Sequence, residues 1–366
     1  MKIIAKREAI LAPLQAVIGV VERKQTMPIL ANVLLAAKGG KLSVTATDLE
    51  VELVATSDVD VQRGGEVTVP GRKMLDICRA LPEGTEITLT LEGERMLVRA
   101  RRSRFTLSTL PAAEFPTVEE INPEQTLTLP QKDFKRLLDK THFSMAQQDV
   151  RYYLNGLLLE TSAKMLRTVA TDGHRLALCE TDLPEGGKPG QQVIVPRKGV
   201  LELQRILGHQ DEPLVVSIGS NHLRVQIGEI RFTSKLIDGR FPEYSRVIPA
   251  EPPRVVCAVR EDLRQALQRA AILSNEKYRG IRFALKSNAL VIQSHNPEQE
   301  EAEEEVEVTY QGEDLEIGFN VNYLLDALAA VDGADVQIGL TDGNSSCLIR
   351  ASGDGSARYV VMPMRL

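Results

Sequence analysis

Apolar residues recur at helical spacing in six short stretches of the chain and at alternate positions in the runs between them. Ile10, Leu14, Val17, Ile18 and Val21 share one face of a helix predicted over residues 8–21. Pro13 should kink that helix, because proline lacks the backbone donor and crowds the preceding turn. The same face returns at 133–143, through Phe134, Leu137, Leu138 and Phe143, and at 261–273, through Leu263, Leu267, Ala270 and Leu273. A second helix is predicted in each third of the chain, at 72–81, 198–207 and 322–331. Between the helices, runs such as KLSVTATDLEVELVA, LLLETSAKMLRTVATDGHRLALC and NHLRVQIGEIRFTSKL read as antiparallel strands joined by Gly, Asn and Ser turns.

The pattern is a repeat. Residues 193–242 have a counterpart at 67–116: Pro70 and Pro196, and Pro116 and Pro242, are both 126 positions apart. Residues 317–366 follow the same plan more faintly, with Leu325-Asp326 standing 250 positions after Leu75-Asp76. Ala46-Thr47-Asp48-Leu49 recurs 124 positions on as Ala170-Thr171-Asp172-Gly173, and Ser294-His295-Asn296 lies another 124 beyond. A triplicated unit requires like domains or one pseudo-symmetric body. The expected fold is therefore α+β, in three tandem pseudo-repeat domains at 1–120, 121–244 and 245–366, with helices on one face of antiparallel sheets.

Hydrophobic content of 43% over 366 residues is enough for a core in each domain. Cys78, Cys179, Cys257 and Cys347 are scattered without CxxC pairing, which suggests neither a zinc site nor a disulfide framework, and a reducing compartment. Charged residues near the N-terminus argue against a signal peptide, and no run approaches 18 apolar residues. A cytoplasmic protein without membrane association is expected.

The net charge is −6, yet it is unevenly placed. Glu298, Glu300, Glu301, Glu303, Glu304, Glu305 and Glu307 crowd one stretch of the last third, and Arg95, Arg99, Arg101, Arg102 and Arg104 crowd the first. Polar faces of the predicted helices carry Arg7, Lys135, Arg136, Lys140, Arg197, Lys198, Arg205, Arg264 and Arg269. A basic lining on an acidic protein suits tracking of phosphates without reading bases.

Asp172, Gly173, His174 and Arg175 resemble a catalytic loop, with His174 as base and Asp172 as its orienting partner. No nucleophile elbow, phosphate loop or HExxH accompanies them. The copy in the first domain, Thr47-Asp48-Leu49-Glu50, keeps only the aspartate, which reads as a turn residue. No catalytic residue, cofactor or fixed metal site is expected; the glutamate run is at most a weak cation site.

LPAAEFP, DVRYYLNG, VATDGHRLA, VIVPRKGV, FTSKLIDGRFPEY, AAILSNEKYRG, NPEQEEAEE and YVVMPMRL, in that order, resemble the bacterial DNA polymerase III beta subunit family, the sliding clamps, from end to end. The resemblance implies a head-to-tail homodimer, a ring with helices inside and sheets outside, encircling duplex DNA irrespective of sequence. Its interface would join Lys73, Ile77, Leu81, Arg102, Arg104 and Phe105 of one copy to Ile272, Leu273, Glu298, Glu300, Glu301, Glu303 and Glu304 of the other. Charge would register the ends and the apolar side chains would supply most of the affinity.

The resemblance also implies a peptide-binding cleft between the second and third domains. Its residues are Leu154, Thr171, Gly173, His174, Arg175, Leu176, Pro242, Arg246, Val247, Asn320, Tyr323, Ser346, Val360, Val361, Met362, Pro363, Met364 and Arg365. Leu176, Val247, Val360 and Met362 would form an apolar floor, with Arg175 and Arg246 fixing the peptide. Its partners would be the Gln-Leu-containing motifs of DNA polymerases, the clamp loader and repair proteins. Asn344 departs from the valine expected in the wall. DNA contacts are expected from Lys24, Arg72, Gln148, Arg151, Tyr152, Tyr153, Arg197, Lys198 and Arg246, with one of the two tyrosines structural and the other able to stack on a base. The competing expectation is a monomeric three-domain scaffold that binds proteins and no DNA.

Overall fold

The computed structural model describes residues 1–21, 27–118, 121–183 and 187–365, so Lys24 lies outside the described residues. Among them are six α-helices, where the apolar spacing puts them: α1 Arg7–Val17, α2 Gly71–Ala80, α3 Gln131–Asp139, α4 Arg197–Ile206, α5 Arg260–Ala270 and α6 Val321–Ala330. Helices α1, α3 and α5 are shorter than their apolar patterns. Each is followed by a 3-10 turn, at Ile18–Val20, His142–Ser144 and Ala271–Leu273. Val20, Ser144 and Ala271 in these turns are buried, which is why the pattern continues, but the backbone has tightened. Val21 donates to Ile18 O at 3.1 Å, Met145 to His142 O at 3.1 Å and Ser274 to Ala271 O at 3.3 Å.

Pro13 lies buried within α1, which runs through it. The carbonyl left without a helical donor is that of Ala9, and the Ser57 hydroxyl donates to it at 2.5 Å. The lost bond is thus replaced from the neighbouring strand.

Met1–Lys135 and Leu201–Leu236 form one compact unit, and Arg136–Val200 and Ile237–Leu366 form another. In the first, five strands lie in the order Asp60–Arg63, Lys2–Lys6, Glu86–Glu92, Arg95–Ala100, Ser103–Ser108. Eight more lie in the order Gln125–Pro130, Pro213–Ile218, His222–Ile227, Ile230–Lys235, Val51–Asp58, Lys41–Thr47, Asn32–Lys38, Gly65–Pro70. Helix α1 packs on Val51–Asp58 and Lys41–Thr47, and against α2.

In the second unit the eight-stranded order is Gln191–Pro196, Gly156–Thr161, Met165–Thr171, Arg175–Asp182, Ala357–Val361, Cys347–Ala351, Asp335–Leu340, Arg254–Val259. A four-stranded sheet runs Glu301–Glu307, Ala289–His295, Gly280–Lys286, Leu315–Asn320. Leu263 and Leu267 of α5 and Leu324 and Leu328 of α6 bury against Phe283, Ile292, Phe319, Ile338 and Tyr359 of these sheets.

Both eight-stranded sheets are spliced across a repeat boundary. Ile230–Lys235 of the second repeat pairs with Val51–Asp58 of the first, setting Phe232 opposite Leu53. Ala357–Val361 of the third pairs with Arg175–Asp182 of the second, setting Tyr359 opposite Ala177. The strands that correspond to these in the remaining repeat ends, Ser103–Ser108 and Glu301–Glu307, are each the outermost strand of their sheet.

Burial raises the thiols of Cys78 and Cys347 to about 12 and that of Cys179 to about 11, so these cysteines are packing groups. No described helix is long and apolar enough to cross a membrane.

Candidate functional site

Residues 171–175 turn between two strands of the second unit. Asp172 Oδ1 accepts the amides of His174 at 2.9 Å and Arg175 at 3.0 Å, while the Thr171 hydroxyl accepts the Gly173 amide at 3.1 Å and donates to Arg175 O at 2.6 Å. Gly173 takes φ +88°, a conformation that favours glycine. The first repeat makes the same turn: Asp48 Oδ1 accepts from Glu50 and Val51 at 2.9 and 2.7 Å, and the Thr47 hydroxyl donates to Val51 O at 3.0 Å. There Leu49 is held at φ +78°. The repeated aspartate is a turn residue, as its persistence between the repeats predicts.

Arg175 is held by contacts within the chain. Its Nε donates to Asp172 Oδ2 at 3.1 Å, one terminal nitrogen pairs with Asp326 and the other donates to Phe143 O at 2.8 Å. The guanidinium lies 4.7 Å from the Tyr323 ring centroid and only 13% of the side chain is exposed. These bonds brace the turn and use three of the five guanidinium donors. Asn320 is likewise committed: its side chain caps α6 by accepting the Asn322 amide at 2.9 Å.

The chain's last segment is docked. Met362 N–H donates to His174 O at 2.9 Å, Ser346 Oγ lies 3.1 Å from Met362 Sδ, and Met364 N–H donates to Gly318 O at 2.9 Å. Strand alternation sends Val360 and Val361 to opposite faces. Val360 joins Leu176, Leu158, Leu178, Phe241 and Leu348 in one buried cluster, and Val361 joins the cluster beneath α5 and α6. Val361 therefore belongs to the helix-side core and not to the cleft surface. Of the expected cleft residues, Leu154, Leu176 and Val360 are buried, and Met362, Pro363, Tyr323, Ser346 and Thr171 are half-buried. Pro242, His174, Arg246 and Arg365 are exposed, and Val247 offers 38% of its surface. Asn344 lines a cavity of about 580 Å³ with Pro363, Met364, Arg365, Arg282 and Glu316.

Tyr244 was not anticipated as part of the site. Its hydroxyl donates to Glu160 and accepts from Arg167 at 2.7 Å, and burial together with the Glu160 bond pushes its phenol up to about 12. This pins the segment that carries Pro242, Arg246 and Val247 over the apolar cluster, against which Tyr244 and Ile248 pack. Nothing in the sequence pairs Tyr244 with residues some 80 positions away.

Descriptions of the N-terminal, central and C-terminal domains of the DNA polymerase III beta subunit match residues 1–119, 128–243 and 245–365. The chain belongs to the DNA polymerase III beta subunit family. It has that family's three-domain clamp fold. It is 55% identical over 362 residues to the Beta sliding clamp of Pseudomonas aeruginosa, covering 99% of both chains, and 55% identical over 367 residues to that of Escherichia coli K12, covering 100% of both. Two solved structures from Pseudomonas aeruginosa are 54% identical with full coverage of both chains. They are the DNA polymerase III subunit beta, at a TM-score of 0.98, and a sliding clamp bound to griselimycin, at 0.97.

Of the expected DNA contacts, Tyr152 is 58% exposed while Tyr153 packs on the apolar cluster. Arg151 forks onto Asp149 at 2.9 and 3.0 Å, an exposed pair that holds the Asp149 carboxyl down at about 2. Arg246 pairs with Glu243 at 2.8 Å, Arg72 donates to Val21 O at 2.5 Å and Arg197 to Met145 O at 3.4 Å. Lys198 is half-buried, and Gln148 is exposed at φ +56°.

At the expected dimer interface, Lys73, Arg102 and Arg104 are exposed, Ile77 and Phe105 half-buried and Leu81 buried. Across the other set, Ile272 is 75% exposed and Leu273 half-buried. The glutamate run forms the strand Glu301–Glu307, whose alternation leaves Glu301, Glu303, Glu305 and Glu307 exposed and turns Glu304 to Arg269, at 2.7 Å. No group of three or more His, Cys, Asp or Glu side chains able to hold a metal ion is found among the described residues.

The first unit has a place equivalent to the cleft, and it is charged. Glu52, 124 positions before Leu176, is only 7% exposed and lines a cavity of about 490 Å³ with Phe115, Pro116, Val118, Arg224 and Arg231. Burial raises its carboxyl above the ordinary glutamate range, outweighing the Val118 amide and the two arginines. A raised pKa means that the folded chain holds the proton more tightly, so ionised Glu52 opposes folding. Glu52→Gln should accordingly raise the melting temperature at neutral pH. The gain should vanish as the pH falls below the ordinary glutamate range, and a variant less stable at both pH values would show the carboxylate to be net favourable.

Proposed function

We propose that this chain is a processivity factor: two copies close head to tail around duplex DNA, and the cleft built on Leu176, Val360, Met362 and Val247 tethers DNA polymerases, the clamp loader and repair proteins through short peptides. Sliding clamps are what its relatives are named. Domain boundaries are placed near residues 121 and 245, and the site of action is the cytoplasm. The observation that carries the reading is the pair of outer strands.

Each repeat end that has a neighbour in the chain is joined to it by strand pairing, at Ile230–Lys235 with Val51–Asp58 and at Ala357–Val361 with Arg175–Asp182. The two ends left over, Ser103–Ser108 and Glu301–Glu307, carry opposite charge. Superposing the hairpins puts Phe105 where Phe232 and Tyr359 lie buried at the other two junctions, and sets Arg104 opposite Glu303 of a second copy. Such pairing removes both exposed edges, and a heterologous contact that closes makes a ring.

A ring holds its enzyme by topology, so weak phosphate contacts suffice and tight ones would stop it sliding. In keeping with this, Arg151 and Arg246 are already paired with Asp149 and Glu243, and Arg72 and Arg197 already donate to backbone carbonyls. The monomeric scaffold reading accounts for the cleft and leaves the complementary edges without use.

Retention on DNA tests the ring. Loaded onto nicked circular DNA by a clamp loader, the protein should co-elute with the circle at high salt and be lost within minutes of linearisation. Equal retention on circular and linear DNA, or none on either, overturns encirclement.

A further inference from the structure

Each junction made within the chain is bridged by one cation that reaches the carboxyl end of the opposing helix. In the first unit, Arg205 at the end of α4 donates to Gln15 O at 3.0 Å and also to Ala16 O, in the last turn of α1. In the second unit the direction reverses: Lys140, just past α3, donates to Ala330 O at 2.5 Å and meets Asp332, at the end of α6. Carbonyls in the last turn of a helix lack intrahelical donors and carry the negative end of its dipole, which is why a cation is placed there. One bridge serves each junction because the position equivalent to Arg205 on α6 is Ala329, by alignment of Val321 with Arg197.

The repeat carries the argument to the third junction. Arg79 lies 126 positions before Arg205, exposed in the last turn of α2. Helix α5 matches α1 in form: each has 11 residues followed by a three-residue 3-10 turn, at a shift of 253 positions. That shift places Gln268 and Arg269 where Gln15 and Ala16 accept from Arg205. The α5 cation that corresponds to Lys140 is Arg269, and it is already forked onto Glu304 at 2.7 and 2.8 Å.

Resting on the ring reading, we propose that Arg79 crosses to a second copy of the chain and donates to the main-chain carbonyls of Gln268 and Arg269, capping α5 as Arg205 caps α1. The contact is a geometric lock. Carbonyls at a helix end accept only from a donor in register, whereas the surrounding carboxylates attract any nearby cation.

Sedimentation equilibrium of the full chain, with Arg79→Met, Arg79→Lys and Arg205→Met alongside, tests the assignment. Arg79→Met keeps the aliphatic stem and should weaken the dimer about tenfold, as expected for loss of charge-assisted hydrogen bonds at an interface. Arg79→Lys should restore part of that loss. Melting of dilute, monomeric Arg79→Met should match the unmodified chain, because the bond is made in trans. Arg205→Met should lower the melting temperature and leave the dimer constant unchanged. An Arg79→Met dimer constant within twofold of the unmodified chain overturns the capping role and leaves the ring reading standing. An unmodified chain that remains monomeric at every concentration overturns both.

Discussion

Ile272→Ala combined with Leu273→Ala should yield a monomer that still binds peptide. Ile272 exposes 75% of its surface on the 3-10 turn after α5, next to half-buried Leu273. An isoleucine so placed contributes little to its own fold and is available to a neighbour. By the 253-position shift Ile272 stands where Gly19 stands in the first unit, and there a Cβ would come within 2.2 Å of the Glu202 carboxylate. At the third junction the residue corresponding to Glu202 is Asp76, one methylene shorter, so the bulk moves from one helix to the other. Removing two interface aliphatic side chains should cost roughly 3 to 6 kcal/mol, or two to four orders of magnitude in the dimer constant. Sedimentation velocity at micromolar concentration reads the mass, and fluorescence anisotropy of a labelled Gln-Leu-containing peptide reads the cleft. A dimer that persists in the double variant would place the interface elsewhere.

The second large effect is expected at the chain's end. Met362→Ala, or removal of Met364, Arg365 and Leu366, should weaken the same peptide tenfold to a hundredfold, about 1 to 3 kcal/mol, and leave the native mass unchanged. Val360 and Leu176 form a buried floor, so the apolar surface a peptide can reach is supplied by Met362, Pro363, Pro242 and Val247. Methionine suits that surface because its unbranched side chain repacks around different partners. Ser346 and the His174 carbonyl hold Met362 in place, so its removal should disturb the surface more than the fold. Loss of the dimer with peptide affinity retained would mean that the site has been misplaced.

The opposite characters of the two equivalent grooves follow from paired positions that differ between repeats: Glu52, Thr233 and Arg224 stand where Leu176, Val360 and Leu348 stand. Where the second unit has Leu176 the first has Glu52, and where one floor is apolar the other buries a carboxylate beside two arginines.

Periodicity and repetition alone determined the six helices, the threefold plan and the turn aspartates Asp48 and Asp172. Those features are one-dimensional: the spacing of apolar residues is set by the backbone period, and a repeat is visible without knowing what it touches. Tertiary structure decided the rest. It separated exposed Tyr152 from packed Tyr153, assigned Val360 and Val361 to different cores, showed Arg175 and Asn320 already committed, and brought Tyr244 onto Glu160 and Arg167. A donor's availability depends on which acceptors, distant in sequence, the fold brings within 3 Å of it, and no local pattern encodes that. The outer strands make the same point: their charges are legible in the sequence, but that they are the ones left unpaired is a property of the folded sheets.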